Sequence, residues 1–506
     1  MTLLRLLAVV GTSLALSSHQ DGSLSAAELR AGVARVEITD KAAKPVHDLC
    51  FAKALVMKTD TTTAVLITVD AVAIGEIGRI PNAFLANVRR QLQADLGIPP
   101  ANVLVNASHC HGVVRSDTEQ LTISAVKQAW QNLVPVKVGV GAGHEDRISE
   151  NRRLKMKDGS EVDMRRAYSM PPDDAVASVG PIDPQIGLLR LDRLDGRPLA
   201  VVYNFACHPI MNPPSKGNSA DYPGYASNAI EEALGEGAMA LFVQGCGGDI
   251  NPVRYKEVNE PADAEPLGNR LGLSVVRAVR QIETRPAARL AVMSETIAVP
   301  RAADFERRIA AIEAEQRRLL AALKPTNINF KSFVPLLIEQ RLSPEFPSHY
   351  AQSYLHDKST GHDDLAKLDA DNRASVEAYL QNIQVMEQLT RLNTNLALLK
   401  KHLAQTKTAA SSTLDVEVCG WRVGDFKLVT FPGELTVEIG LNIKRQAGDP
   451  GAFVAGYTNG YIYYTPTVKQ RQNTGYAQED CDTLVAPEWQ RLFEMKALEI
   501  LRRLSH

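Results

Sequence analysis

The order of apolar and polar positions predicts an α/β chain. Between Gly32 and Asp70 three short runs, Val33 to Ile38, Phe51 to Met57 and Ala64 to Asp70, are rich in β-branched and apolar residues and are broken by charged or Thr-rich turns, the signature of strands. A helix is predicted over Pro81 to Leu96, where apolar positions recur on one face. A strand from Asn102 to Ala107 follows and runs into the string NASHCHG. Two further buried strands, Leu199 to Ala206 and Ala238 to Val243, end in CHP and QGCGGDINP, and helical patterns follow them at Tyr225 to Leu234 and Pro266 to Ile282. Strands alternating with helices define an α/β class, here a mixed β-sheet domain flanked by helices.

From about Asp304 to Gln405 the pattern changes to long Ala, Leu, Glu, Gln, Arg and Lys-rich stretches at helical spacing. This is expected to be a helical insertion, and the Pro- and aromatic-rich Pro335 to Tyr354 within it a lid, partner surface or packed connector. Strand-like patterning returns after Ser412, with no internal repeat. At the N-terminus, Arg5 precedes an apolar run from Leu6 to Leu16, and Ala15 and Ser17 suit a cleavage site before Ser18. Residues 1–17 therefore read as an export signal, implying a periplasmic or secreted protein, and 18–506 as one catalytic domain. No segment carries the roughly 20 apolar residues that a membrane-spanning helix takes.

Composition narrows the partners. A formal charge of -2 over 506 residues leaves no basic surplus for phosphates, so nucleic acid is not expected and a small-molecule or lipid substrate is. The six cysteines show no CxxC spacing, which leaves them as free packing residues rather than a thiolate zinc site.

The candidate chemistry lies at strand ends. His109 and His111, one residue apart, point to one side of an extended backbone. His208 ends another apolar strand, where Pro209 forces the chain out of regular pairing. Imidazoles in this setting suit zinc, which in catalytic sites takes about three protein ligands and keeps one position open. Glu434, in FPGE after the apolar run Phe426 to Phe431, is a fitting carboxylate partner. Asp221 and Asp249 lie in the same group of loops, either as acid, base or orienting groups or as turn caps. GCGGD lacks the Lys-Ser/Thr ending of a nucleotide-binding loop.

Taken in order, NASHCHG, NFACHP, SADYPGYAS, FVQGCGGDINP, FPGE and NGYIYYTPT resemble the catalytic domain of neutral ceramidases, from Gly32 to about Gly475 and excluding the helical stretch. The resemblance implies a zinc site of His109, His208, Glu434 and Tyr464, with His111 helping to hold the attacking water. It also implies that Arg152, in SENRR, contacts substrate and that Tyr476, twelve residues past Tyr464, assists the transition state. Where ceramidases read GDVSPN this chain reads GDINPV, placing Asn251 at the position of a serine tied to catalysis; an amide donates hydrogen bonds but is no nucleophile. Pro223 stands where ceramidases carry lysine, Gly112 and Val113 replace Ser-Gly-Pro after the HxH, and no immunoglobulin-like C-terminal domain is expected. The expected activity is hydrolysis of an amide in an N-acylated, ceramide-like substrate. The alternatives are a zinc hydrolase of the same scaffold acting on a carbohydrate or other small polar molecule and, third, a non-catalytic binding protein.

Overall fold

The computed structural model describes residues 28–163, 171–212, 217–235, 237–255, 262–286, 289–342, 351–475 and 477–506. The export signal expected over residues 1–17, Tyr476 and the middle of the proposed lid lie outside the described residues.

The fold has four layers, and strand alternation sets them. The larger sheet contains β1 (Arg30–Glu37), β2 (Phe51–Lys58), β3 (Thr63–Val69), β4 (Val103–Ala107), β5 (Val134–His144), β6 (Gln185–Arg193), β7 (Pro198–Phe205) and β8 (Met239–Gln244). Their spatial order is β8-β7-β6-β5-β1-β2-β3-β4, with the short Arg285–Pro286 strand beside β5. The smaller sheet has β9 (Leu290–Pro300), β10 (Thr413–Val423), β11 (Phe426–Thr430) and β12 (Ala452–Ala455) side by side.

Every second residue of each strand faces the other sheet. Leu55 and Met57 of β2, Leu66 of β3, Leu189 and Leu191 of β6 and Val202 of β7 meet Trp421, Phe426, Leu428 and Phe453 in one core. The intervening residues face helices. Val56, Ile67 and Val105 pack with Phe84 and Val88 of α1 (Phe84–Leu96) and Val126 of α2 (Thr118–Gln131). Val201, Tyr203 and Phe242 pack with Ile230 of α3 (Asp221–Leu234) and Leu271 and Val275 of α4 (Glu265–Val279). Burying one such aliphatic or aromatic side chain contributes about 1.5–3 kcal/mol, and the period of two makes the register of each strand unambiguous.

Helices α5 (Phe305–Ala322), α6 (Phe330–Leu342), α7 (Ala351–Thr360) and the 45-residue α8 (Asp364–Thr408) come between β9 and β10 in the chain. Two more helices, α9 (Val437–Ala447) and α10 (Trp489–Ser505), cover the outer face of the smaller sheet through Ile439, Trp489 and Phe493. All six cysteines are buried and free. Among the described residues no helix is long and apolar enough to cross a membrane.

Within the two sheets three pairs are parallel, β3 with β4, β7 with β8 and β11 with β12, and helices α1, α3 and α9 respectively lie between their members in sequence. In such crossovers the loops after the parallel strands gather at one edge, the usual position of a ligand site in an α/β sheet. His109, His208 and Glu434 all lie in loops of this kind.

Candidate metal centre

His109 follows β4 by two residues. Its backbone takes the left-handed conformation with φ of 68°, uncommon outside glycine, and its N–H donates to Ala71 O at 3.0 Å. The turn is pinned by Asn106. Its side chain accepts from Gln244 N at the end of β8 (2.9 Å) and donates to Gly456 O (2.9 Å) and Thr458 Oγ1 (2.9 Å), tying three loops together.

His208 leaves β7 with its own N–H on Ile250 O at 2.9 Å. Glu434 is a direct register partner of Tyr464 in a two-residue parallel pairing, Glu434–Leu435 against Tyr464–Thr465, which brings residues thirty positions apart to one point. Gly248 packs against this pair so closely that a Cβ would lie 2.6 Å from Glu434 O, which is why the GCGGD turn needs glycine there.

The three side chains converge. Nδ1 of His109 lies 2.6 Å from Val72 O and Nδ1 of His208 lies 3.0 Å from Ile250 O, so both rings donate backward to carbonyls. Their Nε2 atoms then present lone pairs toward Glu434, at 3.6 Å from Oε1 and 3.1 Å from Oε2 respectively. Candidate ligand atoms of His109, His208 and Glu434 lie within 4.8 Å of one another, and no other such group exists among the described residues. Rings fixed by a second-nitrogen hydrogen bond are the usual support of metal-binding histidines.

Burial drives the His109 imidazole down to about 4, against the pull of Glu434, so at neutral pH the ring is uncharged and its lone pair available. Burial alone would raise the Glu434 carboxyl; the facing histidines and the hydrogen bond from Tyr461 hold it well below its ordinary value. Tyr457 donates to Glu434 Oε2 at 3.3 Å, and Tyr461 makes a short hydrogen bond to Oε1. Burial next to this carboxylate pushes both phenols well up, which keeps them protonated donors.

A cavity of about 230 Å³ opens onto this cluster. Of the residues singled out in the sequence, His109, His111, Arg152, His208, Glu434 and Tyr464 line it. The His111 ring stands 5.6 Å from that of His109. The Arg152 guanidinium sits over the Tyr464 ring at 5.4 Å and is held from behind by Glu479 Oε1 (2.6 Å), Gly248 O (2.6 Å) and Asn251 Oδ1 (3.1 Å). Burial opposes its charge, but Glu479 overcomes that and lifts its pKa well above the ordinary value.

Asn251 is not in the cavity wall; it reaches the site only through Arg152. The guanidinium accepts nothing, so the amide must turn its oxygen to Arg152, leaving Nδ2 buried with no partner. Asp249 and Asp221 are turn and cap residues. Asp249 accepts from Val437 N at the start of α9 (2.8 Å), and Asp221 accepts from Asn212 N (2.7 Å) and Tyr222 N (2.7 Å).

Burial raises the Asp221 carboxyl from 3.8 to about 7. The folded state therefore binds that proton more tightly than the unfolded chain does. The stability this contributes is fully present below about pH 4 and is lost as pH rises toward 7. Asp221→Asn is accordingly expected to gain on the wild type in urea unfolding as pH is raised from 4 to 8. Parallel stability curves across that range would refute it.

Sequence patterning missed Tyr457, Tyr461, Tyr255, Gln478, Glu479 and Asp482. Tyr461 and Tyr463 alternate in YIY, a period that could have flagged Tyr461; nothing local marks the others. A larger groove of about 1070 Å³, between β5 and the 449–451 turn, contains no candidate metal cluster.

The layers and the buried His-His-Glu cluster define a class first: an α/β protein whose candidate site is assembled at the ends of parallel strands. Known structures particularise it. The chain is similar to a neutral ceramidase from Pseudomonas aeruginosa, with a TM-score of 0.57 at 16% identity over 94% of this chain and 74% of that one. It is also similar to a structure described as ceramidase complexed with C2, with a TM-score of 0.59 at 18% identity over 95% of this chain and 75% of that one. The chain thus has a neutral ceramidase-like fold. No family model and no curated protein matches it.

Proposed function

We propose that this protein is an exported, zinc-dependent hydrolase that cleaves the amide bond of an N-acylated, ceramide-like substrate. The observation that carries the reading is the convergence of two backward-anchored imidazoles and one carboxylate on a buried point at the cavity floor. That donor set fits zinc: two imidazoles, that of His109 kept uncharged by burial, an ionised carboxylate and the Tyr464 phenol in the same wall. His109, His208, Glu434 and Tyr464 would hold the ion. Zinc bound there supplies an activated water at neutral pH and polarises a carbonyl.

The remaining roles belong to the chain. His111, at the cavity wall beside His109, is placed to take the proton of an attacking water and return it to the leaving amine. Arg152, immobilised by three partners, aims fixed positive charge at the carbonyl oxygen as charge develops on it; a preorganised donor of this kind contributes about 3–4 kcal/mol. Asn251 sets the orientation of Arg152, and Tyr476 would add a second donor. Residues 18–506 form one catalytic domain in this reading, with the 304–405 helices as an insertion.

The test is metal content by elemental analysis together with fatty-acid release from labelled ceramide and a panel of N-acetylated compounds. Bound zinc with release of carboxylate supports the proposal. Turnover of glycosides or esters with none of N-acyl compounds would replace it with the carbohydrate-type reading. Protein that stays metal-free in zinc-supplemented buffer would leave a binding protein.

Tyr461→Phe removes one of the two phenols on Glu434. Zinc affinity is expected to fall by about 10–100-fold, read by competition with a chelating dye, with the fold intact. Unchanged affinity would show that Glu434 needs no such support.

A further inference from the structure

Of the fifteen large apolar side chains that stay exposed among the described residues, nine fall between Leu320 and Met386, so the uncovered apolar surface is concentrated on the helices between β9 and β10. Four of the nine lie on α6 at intervals of four: Phe330 (68% exposed), Val334 (37%), Ile338 (53%) and Leu342 (81%). Residues so spaced form one continuous ridge, here along the whole of a 13-residue helix about 20 Å long. The opposite side of α6 is apolar too, and it is already covered. Phe333 is buried with its ring stacked on Tyr379 of α8 at 4.3 Å, and Leu336 and Leu337 are half-buried. A helix apolar on both sides calls for a partner on both.

The charges along the ridge select that partner. Lys331 is exposed and follows Phe330 on the ridge side; Glu339 is half-buried at the ridge flank. Asp369 of α8 feels the charges of both Glu339 and Arg373, a group of two carboxylates to one guanidinium that attracts a further cation. Arg341, two residues beyond Glu339, does not face it.

When two α6 helices are set antiparallel about an axis at Pro335, Lys331 of each stands level with Glu339 of the other. In the same register Val334 falls between Val334 and Ile338 of the second copy, Ile338 falls between its Phe330 and Val334, and Arg341 meets only the uncharged Asn329. Moving the axis to Leu336 brings Lys331 against Arg341 and Val334 head-on against Ile338. A parallel pair sets every charge against its own copy. Charge and shape therefore pick one arrangement, with the same patch on both chains, as a two-fold dimer requires.

We propose that α6 is a self-association surface through which two copies of this chain pair antiparallel, with the ridges of Phe330, Val334, Ile338 and Leu342 interlocked and Lys331 against Glu339 at both ends. A lipid surface would take up the same ridge but has nothing to offer Glu339.

Sedimentation velocity on the whole chain tests this. One short helix pair buries less than a standard interface, so a dissociation constant of about 1–100 µM is expected. Ile338→Asp, which puts a charge in the middle of the ridge, should weaken association by at least ~30-fold. Its urea unfolding should match that of the wild type, since the side chain is exposed in the single chain; should this variant not fold, Leu342→Asp decides. Lys331→Glu and Glu339→Lys, each alone, should weaken association by about 3–10-fold through like-charge contact at both ends. Mixed one to one, these two variants should associate as tightly as the wild type, because both contacts are then of opposite charge. A wild type that stays monomeric, a dimer insensitive to Ile338→Asp, or a mixture no tighter than its components would overturn the proposal. So would a monomer that binds vesicles of equal phosphatidylcholine and phosphatidylglycerol and loses that binding in Ile338→Asp, which would make the ridge a lipid contact.

Discussion

Replacing His208 with alanine is expected to strip the protein of zinc and to lower turnover by about 10³-fold or more. The expected loss is large because the other candidate ligands cannot close around the gap. His109 is fixed by its Nδ1 contact to Val72 O, and Glu434 is held by two tyrosines and the Tyr464 pairing. The set that remains, His109, Glu434 and the phenol of Tyr464, retains only one of the two imidazoles that suit zinc. His109→Ala should behave alike. His111→Ala should retain zinc and lose about 10²–10⁴ in kcat, the usual contribution of a positioned acid-base group. Elemental analysis alongside steady-state kinetics decides, and equal metal loss in all three variants would make His111 a direct ligand.

The second large effect concerns stability. Glu479 is fully buried and pairs with two arginines at once, Arg152 through Oε1 (2.6 Å) and Arg153 through Oε2 (3.2 Å). Arg153 also pairs with Asp480 and Glu161, so the charges form a continuous buried network under the cavity. Removing one member leaves an uncompensated buried charge, at a cost of about 3–5 kcal/mol. Glu479→Ala is therefore expected to unfold at markedly lower urea and to lose activity, since Arg152 loses its principal anchor. A loss of under ~1 kcal/mol would show that the guanidinium groups find new partners or water.

The framework was legible because it rests on local patterns, apolar runs for strands and spaced apolar positions for helices. The apolar runs Ala64 to Asp70 and Leu199 to Ala206, and the strand-to-loop transitions at NASHCHG, CHP and FPGE, carry the layered sheets and the position of three candidate ligands. What escaped are groups whose partners lie far along the chain. Tyr457 and Tyr461 support a carboxylate more than twenty residues away, and Asp482 is held by a histidine on α8, eighty residues earlier. The motif placed Asn251 at the position of a serine tied to catalysis, but position in a motif does not fix which way a side chain turns, and its amide oxygen accepts from Arg152, which stands between it and the cavity. Asp221 and Asp249 resolved to the capping alternative, since buried backbone N–H groups claim their oxygens.

The Glu434–Tyr464 pairing has a consequence for assembly. With His109 and His208 contributed from the first half of the chain and the carboxylate and phenol from its last quarter, no fragment ending before residue 464 contains the complete donor set. Ion uptake would thus report closure of the whole polypeptide, and a cation present at a hundred times its dissociation constant would add about 2.7 kcal/mol to the finished structure while giving nothing to a truncated one.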